Sequence, residues 1–277
     1  MLLLQAVVLG IVQGVTEFLP ISSDGHLILV PSLLGWERFG LGFDVMLHAG
    51  TLLATVLYFR RDLAVLARGF FSRGSALARD RRFAWLVIGS AVPSVVVVLA
   101  LEPFIDGVES RPVPEQIVIA ALGLLATSVV LGVSEIIAAR THARGVCDDD
   151  SADLPWSKVL GIGFAQGFAA LPGLSRSGTT IATGQALGMS RGEAARFSFL
   201  ISVPIIAAAT AKKLLDLMQG EGSLPSLGVT VVGVAVTTAV GYGVIWLLLP
   251  FVRKHSLWWF AAYTAVAGIL LLVRYAL

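Results

Sequence analysis

Residues 13–26 read Gln13-Gly14-Val15-Thr16-Glu17-Phe18-Leu19-Pro20-Ile21-Ser22-Ser23-Asp24-Gly25-His26, and residues 166–178 read Gln166-Gly167-Phe168-Ala169-Ala170-Leu171-Pro172-Gly173-Leu174-Ser175-Arg176-Ser177-Gly178. Both run Gln-Gly, then Leu-Pro, then a Ser cluster, then Gly, and they align with one gap. Each interrupts an apolar stretch, 2–34 and 158–187, and leaves helical halves about 10–16 residues long on either side, short of the ~20 that cross a bilayer. A kink in an ordinary helix accounts for one proline. It does not account for two matched clusters that also carry Glu17, His26 and Arg176. The two stretches are therefore expected to be re-entrant (broken) helical hairpins.

Around them lie six simple apolar segments, at about 43–59, 83–101, 116–138, 197–214, 227–249 and 256–275. Three follow each broken stretch. Three is odd, so the second copy enters the membrane from the opposite side, an inverted-topology repeat. The expected fold is thus an all-α polytopic membrane protein with six transmembrane helices plus two re-entrant hairpins. It forms a single membrane domain over 1–277. Repeat one covers about 1–138, repeat two about 158–277, and a cytoplasmic linker about 139–157.

Composition agrees. Hydrophobic residues make up 56% of the 277 and charged residues 14%, against about 25% charged in soluble domains. The net charge of +2 points to no nucleic-acid partner. The single cysteine, Cys147, excludes a disulfide within one chain. The N-terminus has no basic region and no small-residue cleavage site, so it reads as part of the fold.

Lys and Arg set the orientation. Of the 20, fourteen fall in 60–82, in the linker, after the second broken stretch and before the last span. Arg38, Arg111, Lys212, Lys213 and Arg274 fall on the other side, and Arg176 lies within a motif. A 14-to-5 split puts both termini on the outer face of a multi-pass plasma-membrane protein. Trp36, Trp85, Trp156, Trp258 and Trp259 read as interfacial anchors. The acidic run Asp148 to Asp153 reads as a solvated loop, and its spacing lacks the Gly turn and distal Glu of a calcium loop.

Ionisable groups at membrane depth are expensive and mark functional sites. Glu17, Asp24, His26 and Arg176 all sit beside the breaks, and Ser22, Ser23, Ser175, Ser177, Thr179 and Thr180 add hydroxyls. Each break opens a new half-helix whose N-terminal amides favour anions. Arg176 offers a planar fork of donors suited to phosphate. The natural guest is a phosphate or diphosphate, with a carboxylate as second choice. Ser22 and Ser23 precede His26 by four and three positions, so one face of the half-helix can hold all of them. His26 can then serve a Ser hydroxyl as acid or base, or take the phosphoryl group itself. Glu17 can orient His26 or hold a divalent cation, with Gln13 one turn earlier sharing that work. Asp44 and His48, four apart at the start of a span, read as packing or interfacial residues ahead of lining the same cavity, Glu135 as solvated at a helix end, and Glu193 as part of a capping box after Ser190.

At these motifs the chain resembles the undecaprenyl-diphosphate phosphatase family, integral membrane phosphatases of the bacitracin-resistance type. QGVTEFLPISSDGH at 13–26 and PGLSRSGTT at 172–180 carry the resemblance, joined by FDVMLHAGTLLATVLYF at 43–59 and ARFSFLISVP at 195–204. It implies hydrolysis of a C55 polyprenyl diphosphate to the monophosphate, which recycles the lipid carrier of cell-wall synthesis. It also implies a site built from both repeats and open to the outer face. By motif position Glu17, Ser23, His26 and Arg176 are the catalytic set. Gln13, Ser22, Gly25, Ser175, Ser177, Thr179 and Thr180 then line the phosphate site. Gln13 stands where the family has Glu or Gln. Asp24 stands where many members have Thr, which adds a negative charge beside the phosphate. A divalent cation (Mg or Ca) is implied by the resemblance alone, with Glu17 as its candidate ligand. The nucleophile stays open between Ser23 and His26, and the oligomeric state stays open, a homodimer included. The second reading is a flippase for polyprenyl phosphate, since broken helices in inverted repeats also build transporters. The third, a structural scaffold, is opposed by the buried ionisable groups.

Overall fold

The computed structural model describes residues 1–72, 74–142, 150–219 and 224–276. Cys147, Asp148, Asp149, Arg73 and Arg144 lie outside the described residues. Eleven α-helices occur in these segments: α1 Leu2–Thr16, α2 Ser23–Leu34, α3 Leu41–Tyr58, α4 Arg60–Phe71, α5 Ala78–Glu109, α6 Val113–His142, α7 Trp156–Phe168, α8 Arg176–Ala186, α9 Arg191–Met218, α10 Leu227–Lys254 and α11 Trp258–Tyr275. Helices α3, α5, α6, α9, α10 and α11 are long and apolar enough to cross a bilayer, and they coincide with the six expected spans. The chain is a multi-pass, all-helical membrane protein.

The short helices sit at the breaks. Helices α1 and α2 have 15 and 12 residues, and α7 and α8 have 13 and 11. Small residues let them pack closely, as membrane helices require in the absence of a hydrophobic drive. Gly10 and Gly14 of α1 lie against Gly233, Thr237 and Val240 of α10, where a Cβ would approach to 2.9 Å. Gly163 and Gly167 of α7 lie against Ser90, Ser94 and Val97 of α5 in the same way. Each broken stretch therefore packs on a long helix from the other half of the chain.

One sequence expectation is corrected, and one stretch left without an element gains one. Residues 60–71, read only as basic, form helix α4. Its charges hide a stripe at helical spacing: Leu66 is buried against the core with Leu63 beside it, and the Phe70 ring lies 5.0 Å from Trp85. Glu135 is buried and not solvated, at 6% exposure. It accepts from Arg191 Nε and Nη2 (3.0 and 2.7 Å), Gln185 Nε2 (3.0 Å), Ser256 Oγ (2.8 Å) and Leu257 N (3.1 Å). One carboxylate thus ties α6 to α8, α9 and the start of α11. Removing it strands Arg191, and breaking such a pair costs roughly 3 kcal/mol. Glu135→Ala is expected to lower the Tm of the detergent-solubilised protein by several degrees, and an unchanged Tm would contradict this role.

In the described part of the acidic run, Asp150 and Asp153 pair with Arg79. Ser190 Oγ accepts from Glu193 N at 3.4 Å, the expected cap of α9.

Candidate functional site

The first break begins where Pro20 denies the chain a backbone donor and disfavours helix at Leu19. Ser22 then takes φ +69°, the single non-glycine residue with positive φ among the described residues. That is strain of the kind proteins retain at working sites. Helix α2 starts at the next residue, and no side chain caps its N-terminus. Its first amides and its positive dipole end are left for a ligand.

The second break is a tight turn. Leu174 N donates to Leu171 O at 3.0 Å, with Pro172 and Gly173 between them and Gly173 at φ +83°. Pro then Gly with positive φ is the pattern of a type II turn. Helix α6 holds it. Thr127 Oγ1 donates to Gly173 O (3.1 Å) and accepts from Ser175 N (2.9 Å), so backbone groups of the turn are satisfied by protein. Ser175 Oγ caps α8 by accepting from Gly178 N at 3.0 Å.

The two breaks meet. Arg176 Nη2 donates to Glu17 Oε1 at 2.6 Å. Ser177 Oγ donates to Leu19 O at 3.1 Å, and a Cβ on Gly25 would lie 3.7 Å from Gly173. Glu17 Oε2 accepts from Ser23 Oγ at 2.6 Å and from Gln13 Nε2 at 3.0 Å. A hydroxyl bonded to a carboxylate, with a guanidinium on the far oxygen, is the arrangement a nucleophile and its base beside an anion binder would require.

His26 behaves differently from expectation. Its Nδ1 lies 2.6 Å from Ser22 O and so donates, and its Nε2 lies 2.7 Å from Tyr263 Oη, which donates to it. The ring stacks on Tyr263 with 13° between planes. His26 therefore reaches neither the Ser23 hydroxyl nor Glu17, and the expected face shared by Ser23 and His26 does not form a hydrogen-bonded pair. Tyr263 lies 237 residues away, which no local reading anticipates.

The remaining expected residues divide in two. Ser175, Ser177 and Thr180 are engaged within the protein; Thr180 Oγ1 bonds Ser198 Oγ of α9 at 2.5 Å. Ser22 Oγ, Thr179 Oγ1, Gln13 Oε1 and Arg176 Nη1 are buried with no hydrogen-bond partner in the protein. Buried polar atoms of this kind are rare, and each calls for an explanation.

Asp44 and His48, read as packing or interfacial residues ahead of cavity-lining ones, do line a cavity beside the breaks. Asp44 pairs with Arg38 at 2.9 Å. His48 Nε2 lies 3.4 Å from both Glu17 Oε2 and Asp24 Oδ1. Beside them opens a cavity of about 480 Å³. Leu27, Ile28, Val45, Ile105, Ile205 and Ile206 form its apolar wall, and Asp24, Arg38, Asp44, His48, Glu109 and Gln116 its polar part. An apolar wall with a few convergent polar groups is the usual make-up of a small-molecule site.

A divalent cation does not fit at Glu17. Both of its oxygens already accept hydrogen bonds, and Arg176 and His48 flank them. Among the described residues no three His, Cys, Asp or Glu side chains converge as ligands.

Comparison with known proteins bears on this geometry. A family model described as bacitracin resistance protein BacA matches residues 6–270. Undecaprenyl-diphosphatase 2 of Stutzerimonas stutzeri is 39% identical over 276 residues, covering 99% of this chain and 98% of that one. Undecaprenyl-diphosphatase of Trichlorobacter lovleyi is 40% identical, covering 96% and 95%. The protein of that name from Pelobacter propionicus is 44% identical, covering 96% and 94%.

Proposed function

The chain belongs to the bacitracin resistance protein BacA family, and from that membership we propose that it hydrolyses undecaprenyl diphosphate to the monophosphate and inorganic phosphate, recycling the lipid carrier of cell-wall synthesis. The observation that carries the reading at the level of residues is the Glu17 carboxylate, bonded at once to Ser23 of one break and Arg176 of the other. The flippase reading draws no support from the relatives, whose names speak of a diphosphatase.

In this reading the terminal phosphate rests at the open N-terminus of α2, met by the unpartnered Ser22, Thr179 and Arg176 donors. Ser23 Oγ attacks the terminal phosphorus, and Glu17 Oε2 takes its proton. The bond from that phosphorus to the bridging oxygen breaks, and the lipid monophosphate leaves. Water then attacks the phosphoserine phosphorus, the bond from phosphorus to Ser23 Oγ breaks, and Glu17 returns its proton to that oxygen as inorganic phosphate leaves. Phosphoryl transfer asks mainly for positioning and charge neutralisation, which Arg176 and the α2 amides supply. His26, through Ser22 O and Tyr263, fixes the strained start of α2. The cavity beside Asp24 takes the first isoprene units, and the rest of the tail lies in lipid. Mg²⁺ or Ca²⁺ belongs to this reading as a counter-ion of the diphosphate, and no step passes through it.

The placement in the membrane follows the same proposal. The two broken stretches are re-entrant and enter from opposite leaflets, making repeats of about 1–138 and 158–277 joined by the 139–157 linker. The reciprocal packing of α1 on α10 and α7 on α5 supports this, as do the helix lengths. Both termini and the cavity mouth face outward from the plasma membrane, on the side of Arg38 and Arg111, where fewer basic residues lie.

The test is direct. Purified protein in detergent should release inorganic phosphate from undecaprenyl diphosphate, and binding without release overturns the reading. Gly173→Ala tests the second break. The added Cβ meets the Ala120 carbonyl, and φ +83° disfavours any side chain. Displacing Arg176 even slightly is expected to lower kcat about 10–100-fold in protein that stays folded. Full activity would mean that the turn does not position the guanidinium.

A further inference from the structure

Asp24 presents a difficulty for an anion site. It lies in the first turn of α2, where the diphosphate is proposed to sit, half-exposed at the edge of the cavity. An uncompensated carboxylate there repels the substrate. The compensation comes from α3. His48 Nδ1 lies 2.9 Å from the backbone O of Asp44, an atom that only accepts. Its Nε2 faces Glu17 Oε2 and Asp24 Oδ1, each at 3.4 Å, and carboxylate oxygens only accept as well. Acceptors thus face both ring nitrogens, an arrangement that suits the doubly protonated ring. The other charged groups around it are accounted for: Asp44 is paired with Arg38, Glu17 with Arg176, and Glu109 stands at the cavity wall.

We infer that His48 is a positioning residue for the diphosphate: its imidazolium bridges Asp24 and Glu17, cancels the charge of Asp24 beside the substrate, and so lets an acid occupy the phosphate-binding turn. The inference rests on the proposed placement of the diphosphate at α2. It deepens that reading by making His48 and Asp24 a coupled unit. Two cations, Arg176 and His48, then stand beside the headgroup, each matched to a carboxylate.

The coupling predicts a rescue that a packing role would not give. Binding of methylenediphosphonate, a diphosphate that cannot be hydrolysed across its bridge, is measured on the full-length protein in detergent. His48→Ala is expected to raise its Kd about tenfold or more, as like-charge juxtaposition does. His48→Gln should do the same, since glutamine keeps a donor and loses the charge. Asp24→Asn in the His48→Ala background should bring the Kd back to within about threefold of Asp24→Asn alone. If His48→Gln binds like the unsubstituted protein, or if the double variant stays as weak as His48→Ala, the inference is overturned. The readout needs no turnover, so a protein that binds the diphosphonate with this coupling but releases no phosphate from the lipid would sink the phosphatase mechanism alone.

Discussion

Ser23→Ala is expected to remove phosphate release from undecaprenyl diphosphate, with kcat falling by about 10³-fold or more. Ser23 Oγ is the one hydroxyl at either break that donates to a carboxylate, at 2.6 Å from Glu17 Oε2. An attacking oxygen needs a base in contact, and Ser22 Oγ and Thr179 Oγ1 have no hydrogen-bond partner at all. The substitution deletes one oxygen at the start of a helix, so folding should be little affected and Tm near that of the parent. If His26 were the nucleophile, Ser23→Ala would retain most activity, and His26→Ala would not. The lone pair of His26 Nε2 is turned to Tyr263, which argues for the serine.

Arg176→Lys is expected to cost about 10²–10³-fold in kcat. Lysine keeps the charge, but not a fork able to hold Glu17 Oε1 with Nη2 while Nη1 stays free for the phosphate. Kinetics on the purified variant separate this from simple weakening of binding, because a group acting on the transition state lowers kcat and not merely the affinity. A loss confined to KM would reduce Arg176 to a binding residue.

The sequence announced the places where the chain stops being helical, because Pro20 and Pro172 act locally through lost donors and restricted backbone. It also announced Glu17, Ser23 and Arg176 as candidates, since charge in an apolar stretch is conspicuous. What it hid depends on rotation and long-range contact. His48 lies inside a span, and whether it faces lipid, a neighbour or a cavity is set by how α3 turns against α9 and α10. Its spacing of four from Asp44 was the available signal. Tyr263 reaches His26 only because α11 packs beside the first break. Glu135 looked like a helix-end acid, and its burial comes from donors on α8, α9 and the α10–α11 connection, all far away in the chain. Helix α4 was masked by arginines that occupy one face while Leu66 and Phe70 occupy the other.

The central claim is that the two breaks act as one site, Ser23 and Glu17 from the first and Arg176 from the second. The most direct measurement is phosphate release from undecaprenyl diphosphate by Ser23→Ala, by Arg176→Lys and by the double variant, in one assay. Residues that act as a unit are non-additive. The account predicts that the double variant is about as slow as Ser23→Ala alone. Losses that multiply, or a Ser23→Ala variant that turns over at the parent rate, would contradict it.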